Sequence, residues 1–362
     1  MSPRVPVLDR ELFGTIGDTE VHRYALACPG GLTVRVLDYG GVIQSLEAPD
    51  RLGAPANVVL GFPTLDGYVA NNQPGADRVF FGAAIGRYAN RIARGTFTLD
   101  GVTHQLPLNN GPNSLHGGPG GFDTHVWSVT ELHDADSAGL QLELVSPAGD
   151  QGFPGTVSAT VTYRLDRHNR LTITYRATTD APTVLNLTNH TYWNLAGEGS
   201  GDVYGQSLML NADRFCLVDD TLIPVGDPVP VDGTPFDFRH PTPIGARIAE
   251  PDAQLRIGAG YDHNWVLDGT DPARPAAQAQ DPVSGRVLTM WTTEPGLQFY
   301  SGNFLTSDVI GTSGHPYHRG AGFALEPQHF PDSPNRPDFP STELRPGQTY
   351  HQETVYELST TD

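Results

Sequence analysis

The chain has 362 residues, 38% of them hydrophobic, which at this length is ample for a continuous core. Its 41 Asp and Glu face 22 basic residues, every one of them Arg, for a formal net charge of −19. So acidic a balance excludes nucleic-acid partners, because a phosphate backbone demands a basic surface.

Gly at 41 and Pro at 31 suit many short strands joined by turns. The N-terminus carries Arg4, Asp9, Arg10 and Glu11 where a signal peptide would have an apolar core, and no segment is long enough to span a membrane. A cytoplasmic protein with no membrane partner is expected. Cys28 and Cys216 have neither metal nor redox spacing and leave two readings, a single disulfide or, favoured in a reducing cytoplasm, two buried thiols.

Period-two alternation dominates in chain order. Thr96 to Leu99 and Val102 to Leu106 flank Asp100-Gly101, a strong two-residue hairpin signal because both positions tolerate positive φ. Leu140, Leu142 and Leu144 alternate with Gln141 and Glu143. Val157, Ala159, Val161 and Tyr163 do so with Ser and Thr, and Leu171, Ile173 and Tyr175 resume after a polar loop, which predicts an antiparallel hairpin. A short helix is predicted near Pro243 to Ala249, and residues 270–282 read as a surface loop before strand-like sequence resumes at Arg286. There is no internal repeat. The expectation is one all-β domain over residues 1–362, built as a large antiparallel fold.

Several segments cluster polar side chains with Gly and aromatics. The densest is Asn186-Leu-Thr-Asn-His-Thr-Tyr-Trp-Asn-Leu-Ala-Gly197, where His190 lies among Asn186, Asn189, Asn194, Tyr192 and Trp193. Amides bind hydroxyls, rings cover the apolar face of a sugar, and an imidazole moves a proton near neutral pH, so this stretch has the ingredients of a polyol site. Others are Gly86-Arg-Tyr-Ala-Asn-Arg-Ile92, Asn113-Ser-Leu-His-Gly-Gly118, Gly260-Tyr-Asp-His-Asn-Trp265, Pro295-Gly-Leu-Gln-Phe-Tyr-Ser-Gly-Asn303 and Leu325-Glu-Pro-Gln-His-Phe-Pro-Asp332. Glu326 follows Phe323 and Leu325 in a strand run, so it faces either solvent or a polar cleft, and its apolar neighbours favour burial and pKa tuning. His315-Pro316-Tyr317-His318 has HxxH spacing, but the Pro prevents a helix from aligning the rings on zinc.

These six strings, in this order over nearly the whole chain, resemble the aldose 1-epimerase (galactose mutarotase) family. The resemblance implies a β-sandwich of galactose-mutarotase type with an open sugar-binding cleft. It implies Glu326 as general base and His190 as general acid. Asn90, Arg91, His116, Asp262 and Gln298 would hold sugar hydroxyls. The substrate would be a free aldohexose such as galactose or glucose, with no cofactor, no metal and no covalent intermediate, and the protein a monomer or homodimer. One departure is Thr124 after Gly121-Phe122-Asp123, where the family commonly has Lys. No role in catalysis attaches to that position.

Three other readings compete. A glycosidase needs two carboxylates flanking a bond, a role open on paper to Asp262 and Glu326, yet hydrolysis has no use for an imidazole acid at His190. A sister epimerase for hexose 6-phosphates would need a cationic pocket built from Arg alone. A non-catalytic sugar-binding protein of this fold would lack the acid or the base, and both are present.

Overall fold

The computed structural model describes residues 5–73, 77–269 and 274–361. The predicted hairpin forms from Val157–Asp166 and Arg170–Thr179, with Val161, Tyr163, Leu171 and Ile173 buried and the residues between them facing outward. Ser137–Ser146 flanks it on one side and the strand Tyr350–Thr360 on the other. Arg286–Thr292 and Ala277–Gln280 extend this nine-stranded sheet, which is antiparallel throughout these pairs. The Asp100-Gly101 hairpin also forms, with φ of 50° and 77° at its two turn residues.

A second, six-stranded antiparallel sheet runs in the order Tyr192–Trp193, Phe323–Gln328, Gly296–Tyr300, Asp262–Val266, Arg214–Phe215, Val229–Pro230. The two sheets share one apolar cluster, in which Tyr163, Met290 and Tyr356 meet Trp193, Trp265, Phe299 and Leu325. The rings of Trp193 and Tyr356 lie 5.3 Å apart across it. Each such side chain contributes roughly 1.5–3 kcal/mol by leaving water. A five-stranded sheet from residues 7–57 adds Leu26, Val34 and Val36 to the same cluster.

The alternation of the six-stranded sheet sorts its polar residues. His263, Trp265, Leu297, Phe299, Phe323 and Leu325 are wholly or nearly wholly buried on the core side. Asp262, Asn264, Gln298, Tyr300 and Glu326 occupy the intervening positions and face the other way. Register then places Asn264 opposite Gln298 and Gln298 opposite Glu326.

Two local expectations are corrected. The segment from Pro243 to Ala249 holds only a 3-10 turn, Ile244–Ala246, because Gly245 costs helix stability and Ile244 is drawn into the core. Two short helices lie elsewhere, Leu65–Asn71 capped by Thr64 and Ala253–Ile257 capped by Asp252, each too brief to print a 3.6-residue period. Within the expected loop 270–282, residues 270–273 lie outside the described residues, while Ala277–Gln280 is a strand. Ala and Gln are weak strand formers, but this segment is hydrogen-bonded by Ser207–Leu210 on one side and Arg286–Thr292 on the other, and that pairing overrides propensity. Cys28 and Cys216 are both buried, in different apolar clusters, and no disulfide joins them.

Candidate functional site

Short strand pairs bring the distant motifs together. Ser114–Leu115 pairs with Arg91–Ile92, which sets His116 beside Asn90. Thr188–Asn189 pairs with Ala84–Ile85, and the next residue, His190, donates its N–H to Ala83 O at 2.9 Å. Phe80, Asn90 and His116 all adopt positive φ, of 55°, 64° and 52°. Asn tolerates that region best; Phe and His hold it only because packing over-determines them, a pattern that concentrates at functional sites.

The result is a cleft of about 860 Å³ lined by Asn90, Arg91, His116, His190, Asp262 and Glu326 among others. His190 Nε2 lies 3.5 Å from Glu326 Oε2, with both side chains buried. The His116 and His190 rings meet edge to face at 5.0 Å, and Phe80 stands 4.7 Å from His116 and 5.7 Å from His190. Tyr192 closes the other flank, 5.0 Å from His190. Arg91 Nη2 is 3.8 Å from Asp262 Oδ2, and its Nε donates to Asn110 Oδ1 at 2.9 Å. Gln298 lies behind Asp262 in the sheet, its Nε2 donating to Asp262 Oδ1 at 2.7 Å.

Burial governs the electrostatics. It lifts Glu326 well above the usual carboxylate range; the Asp262 charge pushes the same way and Arg91 opposes both. Burial pushes His190 down to about 4. His116 is held well below the ordinary imidazole range by burial, then by His190, Arg91 and Arg78. Although His190 and Glu326 stand at ion-pair distance, burial pushes both toward their neutral forms, the arrangement in which the one proton of the pair sits on the carboxyl.

His116, His190 and Glu326 each place a ligand atom within 4.8 Å of the other two, which is the spacing of a metal-binding triad. The chemistry of His116 does not fit a metal. Its Nδ1 accepts the Asn90 N–H at 3.1 Å, so in the neutral ring the proton sits on Nε2. Neither nitrogen then offers a lone pair, and the ring is a hydrogen-bond donor.

A family model for aldose 1-epimerase matches residues 22–357. The chain belongs to the aldose 1-epimerase family. It is 43% identical over 352 residues to a galactose mutarotase of Bos taurus, covering 97% of this chain and 98% of that one. An aldose 1-epimerase of Escherichia coli K12 is 41% identical over 331 residues, 91% of this chain and 92% of the relative. A crystal structure of an aldose epimerase homologue from C. elegans superposes with a TM-score of 0.82 at 34% identity, covering 92% of this chain and 97% of that one.

Within this aldose 1-epimerase fold, the amides of the densest motif do not serve as hydroxyl binders. Asn186, Asn189 and Asn194 are 0%, 2% and 0% exposed. Asn189 donates to Gly82 O, and Asn194 to Gly201 O and Ala321 O. Trp193 is in the core, whereas Tyr192 reaches the cleft. Among the residues whose place in the cleft the sequence did not disclose are Phe80, Asn110, Phe304 and the turn Asp220–Leu222. None sits in a motif; their one shared signal is a turn-rich or apolar context, which is too common to single them out.

Proposed function

We propose that this protein is an aldose 1-epimerase that interconverts the α and β anomers of free hexoses such as galactose and glucose. The observation that carries the reading is the buried His190–Glu326 pair, 3.5 Å apart in a polar cleft. A bound sugar redistributes their single proton. A hydroxyl donating to Glu326 favours the carboxylate, and a ring oxygen accepting from His190 favours the imidazolium.

Glu326 then takes the proton of the C1 hydroxyl. The C1–O5 bond breaks with its electron pair going to O5, and His190 gives O5 its proton. The products are the open-chain aldehyde, a protonated Glu326 and a neutral His190. Rotation about C1–C2 presents the other carbonyl face, and closure runs both transfers backwards. The protein ends with the proton it began with, so no cofactor is consumed. Each positioned acid or base contributes about 10²- to 10⁴-fold.

The remaining cleft residues position the ring. Arg91, held by Asn110 and Asp262, offers its remaining N–H groups to neighbouring hydroxyls. Asp262 accepts from hydroxyls, and Gln298 keeps it oriented. Asn90 fixes His116, which donates through Nε2. Phe80 and Tyr192 exclude water around the pair.

The charge of the cleft speaks against phosphorylated substrates. Arg78 is bound to Asp123 and to the carbonyls of Gly118 and Pro119, and Arg91 to Asp262 and Asn110. Asp77, Asp220, Asp262 and Glu326 line the same space. A phosphate would meet engaged cations and a surplus of carboxylates.

We further read the whole chain as one domain acting in the cytoplasm as a monomer or homodimer. The sheets sharing one apolar cluster support a single domain and the two buried thiols support a reducing compartment, and among the described residues no helix is long and apolar enough to cross a membrane. Polarimetry on freshly dissolved α-D-galactose and α-D-glucose tests the activity. Acceleration by the wild type that vanishes in Glu326→Gln supports it; no acceleration of either sugar overturns it.

A further inference from the structure

Asn186 is wholly buried, is absent from the cleft lining, and spends its carboxamide on two other segments. Its Oδ1 accepts the His329 N–H at 3.0 Å. Its Nδ2 donates to the carbonyls of His329 at 3.2 Å and Ala89 at 3.3 Å. Engaging both backbone groups of one residue is what a partner strand does in an antiparallel ladder. The side chain takes over that task where the ladder stops, since the pairing of the Gln298 and Glu326 strands ends at Gly296 opposite Gln328.

The backbone of Asn186 holds the other side. Its N–H donates to Arg87 O at 3.0 Å, and its carbonyl accepts the Ala89 N–H at 2.8 Å. Both backbone groups of Ala89 therefore end on Asn186. The next two residues are Asn90, whose N–H orients His116, and Arg91. Glu326 lies three residues before His329, and His190 four residues after Asn186. The His329 ring is itself anchored, with Nδ1 2.7 Å from Glu294 Oε2, so the rung has a fixed abutment.

We propose that Asn186 is a positioning residue, whose carboxamide sets the strand carrying Glu326 at its working distance from the turn carrying Asn90 and Arg91. The inference rests on the acid–base reading of Glu326 and His190. Without the amide, the two segments keep their own strands but lose their mutual reference. A displacement of about 1 Å between a reacting pair and its substrate clamp costs on the order of 10²-fold in rate.

The test is Asn186→Leu, similar in size and without hydrogen-bonding groups, beside Asn186→Asp, which retains only the acceptor for His329. Val161→Ala, a core truncation in the nine-stranded sheet away from the cleft, serves as a control for lost stability. Each is assayed by polarimetry across pH, with folding followed by circular dichroism. Both Asn186 variants, folded, should lose at least tenfold in kcat, and the limbs of the pH profile should move because Arg91, whose charge acts on Glu326, then stands at a changed distance from it. Val161→Ala should keep the wild-type kcat and limbs. Should Asn186→Leu not fold, Asn186→Asp decides alone. A folded Asn186 variant with wild-type kcat, or with reduced kcat and unmoved limbs, overturns the proposal. Absence of activity in the wild type would instead overturn the reading of the site.

Discussion

The backbone N–H of Asn90 donates to His116 Nδ1 at 3.1 Å, and this single bond decides what the imidazole can do. With Nδ1 occupied as an acceptor, Nε2 carries the proton of the neutral ring. Burial and the neighbouring cations keep it neutral. His116 is therefore fixed as a hydrogen-bond donor and not a base.

A donor that cannot be replaced by an apolar ring follows. His116→Phe keeps the edge contacts to Phe80 but removes the donor, and kcat/KM should fall by about 10²-fold, as for loss of one hydrogen bond to developing charge. His116→Gln retains a donor and should lose less. Equal losses in the two variants would contradict the donor role. Dialysis against a chelator should leave the wild-type rate unchanged, since His116 has no lone pair for an ion.

In the proposed mechanism Glu326 and His190 act as one unit sharing one proton. Glu326→Gln and His190→Asn should each lower kcat by about 10²- to 10⁴-fold while sugar still binds. The double variant should be little worse than either, because groups that act together are not additive. Additive losses measured by polarimetry would mean that the two residues work independently.

The pH profile should respond to the charges flanking Glu326 with opposite signs. Burial raises its pKa first, Asp262 adds to the rise, and Arg91 counters it. The proposed mechanism needs the carboxylate, so the acidic limb of kcat/KM should follow this group as pH falls. Asp262→Asn removes a negative neighbour and should move that limb to lower pH; Arg91→Ala removes a cation and should move it to higher pH. The limbs report the pair and not one residue. Movement of both variants in the same direction would contradict the assignment.

Stability should carry the same signature. A carboxyl raised in the folded protein binds its proton more tightly there than in the unfolded chain. The folded state is then favoured below the unfolded value and loses that advantage as pH rises through the folded one. Glu326→Gln should therefore raise the melting temperature at neutral and higher pH and change it little near pH 4, read by scanning calorimetry. Lower melting at pH 8 would show that the buried carboxyl stabilises the cleft.

The loop after His116 depends on a backbone approach that only glycine permits. Gly117 has φ of 82°, and a Cβ there would meet Gly86 O at 2.0 Å. Gly117→Ala should displace His116 and lower both melting temperature and kcat. Unchanged kinetics would show that the loop can yield without moving the ring.

Much of this was legible in the chain itself. Alternation in Val157–Asp166 and Arg170–Thr179, and the place of Glu326 after Phe323 and Leu325, reports strands of an antiparallel fold and says which residues share a face, because side chains in a strand alternate whatever surrounds them. What sequence could not separate was use from support. Asn186, Asn189 and Asn194 have the chemistry of hydroxyl binders, but they are buried and satisfied by backbone. Phe80 carries no motif and yet walls the His116 and His190 rings. Those outcomes depend on pairings between segments a hundred or more residues apart, such as Asn186 with His329 and Asn189 with Gly82. Local chemistry determines what a side chain is able to do; only the packing of distant strands determines which of its partners arrive.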